Sequence, residues 1–294
     1  MLLDSCQQRR SCPDAPPVEG SAQIVNANRA NIPNGRRGGA EGPFGRLVKV
    51  SKTFDTGGQL VPAVKDVSLE FRKGDLISLL GPSGCGKTTV LKMMGGLIPA
   101  SGGLIELDGK AITGTFPGVG VAFQAPTLMP WRSVLGNVLF PMEVLNRNDQ
   151  KAKSRAHEIL KLTGLTGFEQ AYPRQLSGGM QQRVALCRAI IHEPSILLMD
   201  EPFGALDELT RLEMNDLLLD IRRVTRATVI FVTHSISEAI YLSDRVFVFS
   251  KRPAVIALEL NVNMDYPRSQ QTRFLKEFTE LEKQASIALG VVKP

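Results

Sequence analysis

No stretch of about 18 apolar residues, the length a membrane-spanning helix needs, occurs in the 294-residue chain. Apolar stretches such as Ile196 to Met199 are broken within a few residues by charge or glycine, so no membrane span is expected. The amino terminus, MLLDSCQQRR, has neither a basic n-region nor an apolar h-region, and export by a signal peptide is not expected. Cysteine is scarce: Cys6, Cys12, Cys85 and Cys187 are the four present. They form no disulfide framework, and a reducing cytoplasm is the compartment they suit. Lys and Arg number 35 against 29 Asp and Glu, an excess too small to argue for nucleic acid as a partner. With 43% hydrophobic and 22% charged residues, the composition is that of a globular protein of one large domain or two small ones.

Texture divides the chain. Residues 1–43 are rich in Pro, Gly, Asn, Ser and Arg without apolar periodicity, and an unstructured tail is expected there. From Arg46 onward, RLVKVSKTF and VKDVSLEF look like short strands, the second alternating Val67, Leu69 and Phe71 on one face. DLISLLG is continuously apolar, as a strand buried on both faces would be. GLIELDG, GVGVAFQ, SILLMDE, TVIFVTH, RVFVFS and VIALELNV are further strand candidates. Helical spacing joins Met180, Val184, Cys187 and Ile191, and again Leu209, Leu212, Leu217 and Ile221. Strands alternating with helices predict an α/β fold with a mainly parallel sheet. A mostly helical stretch from about residue 128 to 191 would be a subdomain inserted into that core, and residues 44–265 the domain as a whole. Residues 266–294 close on an expected amphipathic helix with Phe274, Phe278, Leu281 and Ala285 on one face.

Between the apolar strand and a helical segment lies Gly81-Pro-Ser83-Gly84-Cys85-Gly86-Lys87-Thr88-Thr89, the strand, glycine-rich loop and helix order of a phosphate-binding loop. Its glycines let backbone N–H groups converge on phosphate oxygens, and the helix start adds roughly half a positive charge. Lys87 would reach the β- and γ-phosphates, and the Thr88 hydroxyl would ligate Mg²⁺. SILLMDE ends a buried strand on Asp200 and Glu201. Alone this is a solvated strand end; behind a phosphate loop Asp200 becomes a carboxylate for Mg²⁺ and Glu201 a general base for water. Ser177 heads a helix with Gly178 and Gly179 behind it. It is either a routine N-cap or a second anion site.

The order is specific: phosphate loop, Gln124 after a strand, LSGGMQQR, LLMDE, GALD, then His234 at a strand end. This resembles the ATP-binding subunit of ABC transporters over roughly Leu47 to Val262. The resemblance implies a P-loop NTPase core with a small antiparallel β subdomain and an inserted α-helical subdomain. It implies Gln124 as the Q-loop glutamine that binds Mg²⁺ and senses the membrane partner, and Ser177, Gly178, Gly179 and Gln181 as signature residues facing the γ-phosphate held by the opposite subunit. Asp207 matches the D-loop aspartate and His234 the switch histidine. Phe54 falls where an aromatic stacks on adenine. Gly204 stands where the superfamily commonly has serine.

One phosphate loop and one signature per chain imply a head-to-tail dimer with two ATP at the seam, driving separate permease subunits at the cytoplasmic face of the membrane. PTLMPWRSVLGNV, FGALD and the late SKRPAVI resemble the ATPases of nitrate, sulfonate and taurine importers, where a solute-binding protein acts upstream. A soluble ABC ATPase of cluster assembly or DNA repair is the rival reading, though no zinc ligands or long coiled coil are present. Trp131 reads in two ways, as a buried anchor of the helical subdomain or as part of an exposed cluster with Leu128, Met129 and Pro130 on which a cytoplasmic helix of the membrane subunit docks.

Overall fold

A computed structural model describes residues 42–293. Residues 1–41 lie outside it, and so does nearly all of the expected 1–43 tail, with Cys6 and Cys12. Two sheets organise the rest. Strands β1 (Gly45–Thr56), β2 (Gln59–Phe71), β4 (Gly102–Leu107) and β5 (Lys110–Ala111) form an antiparallel sheet in the order β2-β1-β4-β5. Its leading hairpin turns on Gly57 and Gly58, at φ 66° and 91°, values that a glycine pair adopts without steric cost. The Asp55 carboxylate accepts the Gly58 amide at 2.7 Å and closes that turn.

The second sheet has the order β10-β9-β3-β8-β7-β6. Strands β3 (Leu76–Leu80), β6 (Val119–Ala122), β7 (Ile196–Asp200), β8 (Thr228–Thr233) and β9 (Arg245–Phe249) run parallel. Strand β10 (Ile256–Asn261) pairs antiparallel along β9. Every residue of β3 and β8 is buried, which explains why these segments read as continuous apolar runs rather than alternations. Leu76 and Leu80 face one core, Ile77 and Leu79 the other, so the sheet separates two apolar layers.

One layer is closed by the antiparallel sheet and helix α1 (Lys87–Met94). The other is closed by α2 (Val134–Val144), α3 (Gln150–Leu162), α4 (Gly178–Ile190), α5 (Glu208–Thr225), α6 (Ile236–Leu242) and α7 (Lys276–Ala288). Ser133, Asp149, Ser177, Asp207 and Ser235 each accept a first-turn amide at the start of α2 to α6. A cap of this kind contributes about 1 kcal/mol.

Two helical faces differ from the sequence expectation. The buried stripe of α5 is Met214, Leu218 and Ile221, while Leu209 is exposed. Leu209 sits in the first turn beside its cap, one turn ahead of the first buried residue, Met214. At the carboxyl end, Phe278 and Ala285 are buried and Leu281 packs on the core, but Phe274 is 86% exposed. Phe274 ends a 3₁₀ turn over Gln270–Phe274, and the α-helix begins only at Lys276. The three-residue pitch of the turn carries its ring off the helix stripe.

Candidate active site

The phosphate-loop residues lie between the carboxyl end of β3 and the start of α1. Gly84 and Gly86 have φ 74° and 128°, a region closed to most side chains. Space is a second constraint at Gly86: a Cβ there would lie 2.8 Å from the Ala63 carbonyl and 3.0 Å from Ala254 Cβ. The loop is thus seated against β2 and the segment that bridges to it, Ala254 pairing with Val64. Ser83 and Gly84 are exposed, Thr89 half-buried. Cys85 turns its side chain into the apolar layer, leaving its amide to the loop, where it donates to Pro82 O at 3.3 Å.

Lys87 is buried, its Nζ donating to the carbonyls of Gly81 at 2.7 Å and Pro82 at 3.0 Å. The same ammonium stands 3.7 Å from Glu201 Oε1. Glu201 follows β7 at φ 45°, a left-handed conformation that costs a non-glycine residue about 1–3 kcal/mol. Its amide donates to Val232 O at 3.0 Å, and its Oε2 lies 2.9 Å from His234 Nδ1. Lys87, Glu201 and His234 therefore form one array, with Glu201 joining the other two. His234 projects from the end of β8 with about half its side chain exposed.

Thr88 donates its hydroxyl to Asp200 Oδ1 at 2.7 Å. Burial raises the Asp200 carboxyl above its ordinary range, the Thr88 hydrogen bond opposing it and the Glu201 charge reinforcing it. Hydroxyl and carboxylate oxygens are the hard donors that Mg²⁺ prefers, and Mg²⁺ usually takes only one or two protein ligands beside phosphate and water. Among the described residues no group of three or more His, Cys, Asp or Glu could hold a metal, so a metal here would rely on this pair and on phosphate oxygens.

Gln124 is exposed at the end of β6, its amide nitrogen 3.7 Å from the position of a Cβ built on Gly204. The loop carrying it is held by two α4 residues that sequence reasoning missed. Buried Gln182 donates to Phe123 O at 3.2 Å, and Arg188 donates to Pro126 O and Thr127 O, both at 2.9 Å. The helix opened by the LSGG segment thus directly grips the Gln124 loop. Only their offsets of four and ten residues behind Gly178 could have drawn attention to them.

Ser177 caps α4 by accepting the Met180 amide at 3.3 Å, and Gln181 donates to Pro173 O and Leu176 O. Asp207 accepts the Thr210 amide at 3.0 Å, a bond that lowers its carboxyl below the usual range. Ser177, Gly178, Gly179, Asp207 and Thr210 line a common cavity of about 430 Å³. A Cβ on Gly179 would come within 2.8 Å of Thr210 Cγ2, so glycine keeps the two helix starts in contact. Ser177, Gly178, Gly179 and Asp207 thus meet one another at a cavity whose lining includes no residue of the phosphate loop.

Phe54 is half-buried against the antiparallel sheet's core, with Lys52 Nζ 5.2 Å from its ring centroid. In the Leu128–Trp131 segment the members part: Leu128 packs on the core and Met129 is half-buried, while Trp131 is 73% exposed. The buried-anchor reading of Trp131 therefore fails, and the exposed cluster shrinks to Pro130 and Trp131. Asn137 fixes this loop from inside, accepting the Met129 amide at 2.8 Å and donating to Met129 O, Arg132 O and Ser133 O.

The family described as ABC transporter matches residues 64–204. An uncharacterized ABC transporter ATP-binding protein of Methanocaldococcus jannaschii is 44% identical over 238 residues, covering 81% of this chain and 88% of that protein. The chain belongs to the ATP-binding proteins of ABC transporters, an ATPase family. An aliphatic sulfonates import ATP-binding protein of Bacillus subtilis is 40% identical over 241 residues, covering 79% of this chain and 92% of that one. Among solved structures, a dimeric ATP-binding cassette in a post-hydrolysis state with ADP and Pi matches at TM-score 0.66 and 31% identity, over 75% of this chain and all of that one. The fold of this ABC ATPase is that of the cassette, and its nucleotide is ATP.

Proposed function

We propose that this ABC ATPase is the ATP-hydrolysing subunit of an importer for a small solute such as nitrate, a sulfonate or taurine. It would act as a head-to-tail dimer on separate permease subunits, peripheral at the cytoplasmic face of the membrane, with a solute-binding protein contributing indirectly. The Lys87–Glu201–His234 array carries the reading. In it a buried ammonium, a carboxylate and an imidazole converge where a phosphate loop ends.

Lys87 and the loop amides hold the β- and γ-phosphates, and their charge stabilises the negative charge that develops on transfer to water. Glu201 takes the proton of the attacking water at Oε1 or Oε2, a role worth about 10²–10⁴-fold in rate. His234 orients that carboxylate through its 2.9 Å contact, and its other ring nitrogen would meet the γ-phosphate. Thr88 and Asp200 are the residues that would hold Mg²⁺, with Gln124 reaching it from the next strand. The metal, when bound, neutralises charge on the β- and γ-phosphate oxygens. Phe54 would stack on adenine.

Ser177, Gly179 and Asp207 share a cavity away from the loop's own lysine, and a second copy's phosphates are the ligand they suit. Closing two copies on ATP excludes water and places both sets of donors on each γ-phosphate; hydrolysis releases them. The 40% identity to sulfonate importer subunits, together with exposed Trp131 beside the Gln124 loop, supports coupling to a permease. Coexpression with candidate permease proteins tests this: a retained membrane complex with ATP-dependent uptake of an alkanesulfonate into vesicles is expected. A chain that hydrolyses ATP but captures no membrane protein would favour the soluble alternative.

A further inference from the structure

His234 leaves β8 between two residues that are themselves tied together. Thr233, buried, donates its hydroxyl to Glu238 Oε2 at 2.6 Å. The Thr233 hydroxyl oxygen also accepts the Ser235 amide at 3.0 Å, and Ser235 Oγ accepts the Glu238 amide at 3.3 Å. These three bonds close a ring around the histidine, from the residue before it to the residue after it and on to the first turn of α6.

Glu238 is an expensive way to make such a ring. It is buried, and one of its oxygens, Oε1, has no hydrogen-bond partner. Desolvation raises its carboxyl above the ordinary range, opposed by the Thr233 hydrogen bond and by the charges of Arg211, His234 and Arg273. Capping α6 needs only Ser235, so the cap does not explain a buried carboxylate at this place.

The chain's last segment reaches the same helix. Arg273, in the 3₁₀ turn, donates to Ser237 Oγ and lies 4.3 Å over the Tyr241 ring. Arg273 Nε donates to Gln270 Oε1 at 3.0 Å, and Gln270 Nε2 donates to both Asp216 oxygens at 3.0 and 3.1 Å. Tyr241 donates its hydroxyl to the same Asp216 at 2.5 Å. Helix α6 is therefore fastened to α5 and to the carboxyl-terminal turn by one polar network.

We propose that Glu238 is a positioning residue for ATP hydrolysis. It holds the backbone that aims His234 at Glu201, and Arg273 anchors its helix from the carboxyl-terminal segment. The inference rests on the reading of His234 given above. Neither residue touches the phosphate loop, so nucleotide binding is not their business.

Full-length Glu238→Ala, Glu238→Gln, Thr233→Val, Arg273→Ala and His234→Ala variants separate the possibilities, with kcat, KM for ATP and melting temperature measured on each. Misplacing a group by about 1 Å can cost roughly 10²-fold in rate, and Glu238→Ala is expected to lose about 10- to 100-fold in kcat with KM nearly unchanged. Glu238→Gln, whose amide oxygen can still accept from Thr233, should recover most of that loss. Thr233→Val also removes the acceptor of the Ser235 amide and should lose at least as much as Glu238→Ala, and the double variant should be no worse than Thr233→Val, because the Thr233–Glu238 bond is common to both. Arg273→Ala should lower kcat in the same direction by a smaller factor. Wild-type kcat in Glu238→Ala alongside an impaired His234→Ala overturns the positioning role alone. Wild-type kcat in His234→Ala overturns the underlying reading and the proposal with it. A Glu238→Ala loss that Gln does not rescue, and that follows a fall in melting temperature, also overturns it.

Discussion

Asp200 accepts the Thr88 hydroxyl at 2.7 Å across 112 residues of chain. The bond joins the end of β7 to the first turn of α1, and it places a desolvated carboxylate where a divalent cation would be held. Because burial raises its carboxyl, folded Asp200 binds its proton more tightly than the unfolded chain does. Stability from this group is therefore greatest at low pH and falls as pH rises from the ordinary Asp range through the raised folded value. At neutral pH the charged form is a burden without metal. Asp200→Asn is expected to raise the melting temperature of the nucleotide-free protein while abolishing hydrolysis, and thermal scans with and without Mg²⁺ and ATP check both.

Glu201→Gln keeps the shape of the side chain and its contact with His234 but cannot take a proton from water. Hydrolysis should fall by at least about 10²-fold while ATP binding persists, and the variant should accumulate as a dimer in ATP. Size-exclusion chromatography with bound-nucleotide analysis is the measurement. Turnover within a few-fold of wild type would remove Glu201 from the role of base.

Arg268 is buried and donates to the carbonyls of Ile240, Tyr241 and Ser243 at 3.1, 2.9 and 2.8 Å. These groups close the carboxyl end of α6, where backbone carbonyls have no helical partner. Arg268→Met would fill the space and leave them unpaired, at about 1–3 kcal/mol per group. Urea denaturation should show a midpoint shift without loss of cooperativity.

Trp131→Ala should change stability by less than about 0.5 kcal/mol, as for an exposed side chain, and leave ATP binding intact. Assembly with permease subunits and uptake should weaken. Pull-down from coexpressing cells, beside a melting curve of the isolated chain, distinguishes the two effects; unimpaired assembly would remove Trp131 from the docking surface.

Much of the fold is legible in the sequence. DLISLL and TVIFVT carry no alternation because both faces of β3 and β8 are covered, and glycine spacing in residues 81–88 is local chemistry. Phe274 misled because it keeps the i+4 interval to Phe278, yet the chain enters α7 by a 3₁₀ turn whose pitch differs. Leu209 fits the periodicity of α5 but lies in its first turn, ahead of the stretch that is buried. Leu128 and Trp131, three residues apart in one loop, part company because Asn137 pins the backbone between them, a bond that no spacing rule reveals. Gln182, Arg188, Glu238 and Arg268 were silent for a related reason: three of them bond backbone carbonyls of distant segments, which carry no residue-specific signal. Glu238 bonds a threonine whose orientation depends on where β8 ends.

Trp131 is the chain's single tryptophan, and its indole stands 73% exposed. Its emission therefore reports on one place alone, against a background of only three tyrosines. Water around the ring gives a red emission open to collisional quenchers, and covering the ring shifts it to the blue and shields it. The unmodified protein thus carries its own optical gauge of whatever settles on the loop that Asn137 holds. Nucleotide cycling that reached this loop would register as a shift in that emission, with no label attached.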